Sequence, residues 1–184
     1  MLRLFFALQP GSEHSDALAE QVAPLVTRLK GQRVPAENLH ATLCFIGAVA
    51  EEKLDVLQSA VAAVRVRPAT LHFDSLEYWR KPGVICATAA DTAAAAPARV
   101  LAERLAEATI AAGFTPDVKP FRAHLTLARK VPAAHAAACE WPRPLAPSFT
   151  VQCDRFALLQ SRRGETGSIY SVVNSWALDD DKSV

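Results

Sequence analysis

Apolar positions along this chain recur with two periods, and their order predicts a mixed fold of strands and helices. A Leu- and Phe-rich run over 2–8 reads as a buried strand. Pro10-Gly11 ends it, since proline removes a backbone donor and glycine permits a turn. Over 15–30, Leu18, Val22, Leu25, Val26 and Leu29 return at steps of three and four, an amphipathic helix with Ser12 as N-cap and Gly31 as terminator. A strand over 38–46 ends at Gly47. A helix over 51–64 turns Leu54, Leu57, Val61 and Val64 inward and stops before Pro68. Strands over 69–79 and 83–90 are joined through Lys81-Pro82-Gly83, a hairpin turn. The alanine-rich run 93–112 reads as a third helix, and 122–128 as a strand. The proline-rich stretch 132–147 reads as a surface loop with a little helix. Strands over 148–160 and 168–177 close the chain.

At low resolution the second half repeats the first: a helix, then a strand carrying His-x-Thr-Leu, then further strands. The copies are His40 to Leu43 and His124 to Leu127, with histidines 84 positions apart in 184 residues. The expected organisation is a single α+β domain over 1–184, made of two similar lobes with mostly antiparallel sheets facing one cleft. Composition adds exclusions. The formal charge of +1 gives no broad basic field for tracking long nucleic acid, so a nucleic-acid contact is local. Four scattered cysteines, with no C-x-x-C pair and no Cys/His cluster at zinc spacing, predict a reducing, cytoplasmic setting and no metal or other cofactor. No segment approaches the roughly 18 uninterrupted apolar residues of a membrane span, and the short apolar opening reads as a strand and not a signal segment. A monomer is expected.

The paired motif carries the chemistry. Alternate strand residues share a face, so His40 with Thr42, and His124 with Thr126, each present an imidazole beside a hydroxyl while Ala41 and Leu43 pack behind. A lone strand histidine is more often structural than functional. Five His, ten Thr and twenty Leu give about 0.03 expected copies of the motif, however, so two copies are a specific signal. Imidazole titrates near neutrality, so one ring can act as base while the other protonates a leaving oxygen, with threonine hydroxyls donating to phosphoryl oxygens. Such a pair needs no metal, and a two-histidine metal site lacks a third ligand at recognisable spacing.

The segments NLHATLCFIG and FRAHLTLARK, the opening RLFFAL and the overall length resemble the 2H phosphoesterase superfamily, in particular the RNA 2′,3′-cyclic phosphodiesterases also described as 2′-5′ RNA ligases. The resemblance implies a bilobal fold with a pseudo-twofold axis and helices outside. It also implies hydrolysis of a terminal 2′,3′-cyclic phosphate to a 2′-phosphomonoester, with 2′-5′ ligation as the reverse capacity. His40 becomes the general acid and His124 the general base, and Thr42 and Thr126 bind the phosphoryl oxygens. Arg129 matches a basic residue that closes on the phosphate. Strict strand parity puts Arg129 on the face opposite His124, so that role requires the strand to end or bulge near Ala128. The partners implied are RNA ends or nucleotide 2′,3′-cyclic phosphates. A small nucleotide-derived cyclic phosphate, such as an ADP-ribose cyclic phosphate, is an alternative substrate, and a non-catalytic binding module is the rival of a different class.

Other candidates are weaker. His14, His72 and His135 lack a threonine two residues on and read as structural or solvated. Cys44 shares a face with His40 by parity but has no base beside it, so it reads as a small buried hydrophobe. Lys119, Arg122, Arg129 and Lys130 bracket the second motif and Arg162 with Arg163 lies in a later turn, together a receiver for an RNA end. Tyr78, Trp79, Phe121 and Tyr170 are candidates for stacking on a base.

Overall fold

The computed structural model describes residues 1–165 and 167–179. In chain order it runs β1 (Leu2–Leu8), α1 (Ser12–Arg28), β2 (Gln32–Arg33), β3 (Ala41–Val49), α2 (Leu54–Val61), β4 (Ala69–Trp79), β5 (Val84–Ala89), α3 (Ala96–Ala111), β6 (His124–Arg129), α4 (Ala133–Ala136), β7 (Arg143–Cys153), β8 (Arg155–Arg163) and β9 (Ser168–Ala177). Two sheets form, ordered β3-β1-β8-β9 and β2-β6-β5-β4-β7, and every strand pair is antiparallel. This is the expected α+β architecture.

The helices bury the stripes that the periodicity defines. In α1, Leu18, Val22 and Val26 are buried, and Leu57 and Val61 do the same for α2. α1 packs on β2 and β6, and α3 on β3 and β4, so one continuous core runs behind both sheets. Phe6, Phe156 and Trp176 anchor it, with Phe156 and Trp176 stacked at 5.2 Å. Gly83 sits at φ +63°, and its N–H bonds the Trp79 carbonyl at 3.0 Å, which closes the predicted β4–β5 hairpin.

Four expectations need correction. Ser12 is the first residue of α1 and Gly11 holds the cap position without a side-chain hydrogen bond. β3 does not stop at Gly47, because that residue takes φ +86° and the strand bulges through it to Val49. The single strand read over 148–160 is two strands that turn at Asp154 and enter different sheets, and β7 begins at Arg143, inside the stretch read as a loop. Pro144 and Pro147 are tolerated there because β7 is an edge strand, where a missing N–H breaks no inner ladder. Finally, the sheets do not correspond to the chain's halves. β8 and β9 return to pair with β1, while β4 and β5 join the sheet of β6.

Candidate active site

Each motif sits where its strand meets the cleft, and the two sites are built alike. The ring of His40 donates from Nδ1 to the Asn38 carbonyl at 2.7 Å, and that of His124 donates from Nδ1 to the Arg122 carbonyl at 2.8 Å. A carbonyl oxygen only accepts, so both neutral rings carry the proton on Nδ1 and leave Nε2 for a substrate. Aromatic rings brace them. Tyr170 meets His40 edge-on at 4.9 Å and Trp79 lies 4.6 Å from His124. Asn38, mostly buried, also donates from its side-chain nitrogen to the Ser168 carbonyl at 2.9 Å, tying the first motif to β9.

The backbone irregularity that Arg129 requires is present. Along β5, Cys86 pairs with Thr126 while the adjacent Ile85 pairs with Ala128, so Leu127 is an extra residue on β6. The bulge turns Ala128 into the core, where it is fully buried, and returns Arg129 to the face of His124 and Thr126. A matching bulge occurs in β3. Phe6 pairs with Cys44 and Ala7 with Thr42, leaving Leu43 as the extra residue. Its consequence reverses the parity argument for Cys44, which points away from Thr42 into the core, as a buried hydrophobe does. Phe45 takes the cleft position instead and stacks on Phe5 at 5.8 Å. Phe45 and Arg129 thus hold equivalent places, each five residues after its histidine.

His40, Thr42 and Arg129 line one cavity of about 600 Å³, together with Arg3, Phe5, Phe45, Tyr170 and the adjoining ends of β8 and β9. His124 lines an adjoining space of about 340 Å³ that shares Thr42 and Phe45 and includes Trp79 and Phe121. Thr126 follows His124 on the same face of β6, with Cys86 Sγ 3.8 Å from its hydroxyl. Burial pushes the Cys86 thiol up to about 12, so it stays protonated. Among the described residues, no three His, Cys, Asp or Glu side chains gather as a metal-holding group.

Burial is also the main force on the histidines. It lowers His40 to about 4 against the favourable Asn38 carbonyl, and the nearby charges of Arg129 and His124 lower it further. His124 is lowered by burial too, against the Arg122 carbonyl, with Arg122 and Arg129 repelling its proton and Glu77 attracting it. Both rings are therefore neutral at pH 7. An anion between them favours the charged form and opposes that shift.

Glu77 has no counterpart in the motif reading. It sits on β4 opposite Cys86, facing the cleft, and accepts from Trp79 Nε1 at 2.9 Å, from Thr88 at 3.2 Å and from Arg122. Burial raises its pKa, but those donors and the Arg122 charge outweigh it and the carboxyl is held down as an anion. Arg122 in turn lies over the Trp79 ring at 5.6 Å. The sequence signal is a charged residue between Leu76 and the Tyr78-Trp79 pair at a strand end.

His14, His72, His135 and Tyr78 line neither of these two cavities. His72 Nδ1 pairs with the Thr150 hydroxyl at 2.9 Å, across β4 and β7. His14 lies on α1 near Phe149, and His135 on α4. Tyr78 packs near Trp141 and donates to the Val131 carbonyl. Lys119 pairs with Asp117 and lines the space beside His124, while Arg162, which donates to Gln160, and Arg163 lie on β8 instead of in a turn and line the His40 cavity.

Two antiparallel sheets that close on paired imidazole-hydroxyl sets, each ring fixed through Nδ1, make a two-histidine phosphoesterase fold. The chain belongs to the 2′-5′ RNA ligase superfamily, whose family model matches residues 14–165. A curated Archaeoglobus fulgidus protein named RNA 2′,3′-cyclic phosphodiesterase is 32% identical over 132 residues, covering 70% of this chain and 72% of its own. An Escherichia coli protein of the same name is 29% identical over 182 residues, 96% of each chain. The crystal structure of E. coli LigT complexed with 3′-AMP superposes with a TM-score of 0.80 at 26% identity, covering 96% of this chain and 98% of that one. A Thermus thermophilus structure gives 0.77 at 26% identity, covering 96% and 97%.

Proposed function

We propose that the protein hydrolyses the 2′,3′-cyclic phosphate of an RNA end to a 2′-phosphomonoester, with His40 as general acid, His124 as general base and no metal ion. The observation that carries this reading is the duplicated ring geometry, with Nδ1 of each imidazole fixed on a backbone carbonyl and Nε2 left for substrate beside Arg129. His124 Nε2 takes a proton from water as the water oxygen bonds to phosphorus. The P–O3′ bond breaks, and His40 Nε2–H protonates the departing 3′-oxygen. Thr42 and Thr126 donate to the non-bridging oxygens, and Arg129 offsets the charge that builds on them. A 5′-hydroxyl in place of water forms a 2′-5′ linkage by the same step. The working unit is a cytoplasmic monomer.

His40 must be protonated to act as acid, and the phosphodiester anion supplies the charge that raises it from its resting value of about 4. A reversed pair has its own support, since Glu77 favours the proton on His124 and His40 is the harder ring to charge. A substrate with sulfur at the leaving position separates the two, because a thiolate departs without an acid and rescues only the variant that lacks one.

The direct test is product analysis in EDTA with cyclic mononucleotides, tRNA halves carrying cyclic ends and ADP-ribose cyclic phosphate. The expected result is opening of RNA-type ends to the 2′-phosphate alone. Loss of activity with EDTA, or survival of activity in both His40→Ala and His124→Ala, overturns the reading.

A further inference from the structure

Positive charge continues past the motif residues along the concave face of the first sheet. On β1, Arg3, Phe5 and Ala7 alternate onto one face, and Ala7 pairs with Thr42. Ser161 pairs with Arg3 across β8, Tyr170 pairs with Ser161 across β9, and Ser168 pairs with Arg163. The cavity that holds His40 and Thr42 extends over all of these side chains. Arg3 lies over the Phe45 ring at 5.1 Å, and among the described residues neither Arg3 nor Arg163 forms an ion pair. Glu165, two positions after Arg163, makes none with it either. The contrast is with Arg122, neutralised by Glu77.

Two guanidiniums that form no ion pair among the described residues, with the Ser161 and Ser168 hydroxyls, match a phosphate group. This group is not the one that reacts. At ~3.3 Å per residue, Arg3 stands about 13 Å along β1 from Ala7, which pairs with Thr42, so its guanidinium enters the cavity at a different point from the threonine hydroxyls. In an RNA end the terminal nucleoside carries one other phosphate, on its 5′-oxygen.

We infer that Arg3 and Arg163 form a second phosphate subsite that takes this 5′-phosphate, so that the cleft selects chain ends over bare cyclic nucleosides. The inference rests on the cyclic-phosphate reading above. The test compares kcat/KM for adenosine 2′,3′-cyclic phosphate, its 5′-phosphorylated form and the dinucleotide ApA with a 2′,3′-cyclic end, for wild type, Arg163→Gln, Arg3→Gln and Arg3→Lys.

The 5′-phosphate is expected to raise wild-type kcat/KM by about 10- to 100-fold, mostly through KM, as charge-assisted hydrogen bonds of this kind do. The dinucleotide should share the gain. The ratio of phosphorylated to unphosphorylated substrate should fall toward 1 in Arg163→Gln and Arg3→Gln, shrink with added salt, and be largely kept in Arg3→Lys, which retains the charge. A wild-type ratio near 1, a ratio that neither glutamine variant changes, or a gain confined to the dinucleotide overturns the subsite. If wild type opens none of the three substrates, the cyclic-phosphate reading itself has failed.

Discussion

Replacing His40 with glutamine should make the protein less sensitive to acid. The folded ring titrates at about 4 against an ordinary 6.5, chiefly because burial penalises its charged form. Between those values the unfolded chain holds the proton and the folded chain does not, so acid favours unfolding. The stability that comes from housing a neutral ring is intact above pH 6.5 and is lost as pH falls toward 4. A displacement of this size, at about 1.4 kcal/mol per unit, amounts to roughly 2 kcal/mol already lost at pH 4.5. His124 is lowered in the same direction and adds to the loss. Urea unfolding at pH 7 and pH 4.5 measures it, with carboxylate titration common to wild type and His40→Gln and cancelling in the comparison. The variant should lose about 2 kcal/mol less than wild type between the two pH values. Inorganic phosphate should protect wild type more at pH 5 than at pH 7, because an anion in the cleft restores the proton. Equal acid sensitivity in both proteins would refute the burial argument for His40.

Arg129→Ala removes a cation that repels the proton from both rings, so the acidic limb of the activity profile should move to higher pH while KM rises. Glu77→Gln removes the attraction on His124 and should move that ring's limb to lower pH, the opposite sign in the same assay. Thr42→Val and Thr126→Val keep the side-chain shape and should each cost about tenfold in kcat/KM, read by steady-state kinetics; no change would remove the hydroxyls from the phosphate site. Iodoacetamide at pH 8 should leave activity intact, since Cys44 and Cys86 are buried and held at about 11 and about 12; rapid inactivation would show a reactive thiol in the cleft.

The histidines and threonines were legible because parity within three residues survives any later irregularity. Parity failed beyond that point. The bulges at Leu43 and Leu127 carry no glycine or proline to announce them, yet each flips every residue that follows, sending Cys44 inward and Arg129 outward. Only the demand that Arg129 face His124 hinted at one of them. The break at Asp154 was nearly silent, since a lone aspartate with no glycine or proline beside it is a weak turn signal and the chain changes sheet across that single residue. Proline misled in β7 because its cost depends on whether the strand is an edge, which is decided by tertiary pairing. The near-repeat of the two halves suggested lobes that follow one another in sequence. The real sheets exchange strands, so β9 supplies Tyr170 and Ser168 to the first motif across more than a hundred residues. Glu77 escaped notice for the same reason. Trp79 is its neighbour on β4, but Thr88 and Arg122 come from β5 and the segment before β6, and only sheet pairing brings them to the same carboxylate.

The acid-base pairing of His40 and His124 is tested most directly by kcat/KM against pH, on a 2′,3′-cyclic nucleotide in EDTA, for wild type and for each single alanine variant. A bell is predicted for wild type, with residual rates at least about a hundredfold lower in each variant and one limb of the bell missing from each. A variant that keeps both limbs, or a rate near wild type after loss of either ring, would contradict it.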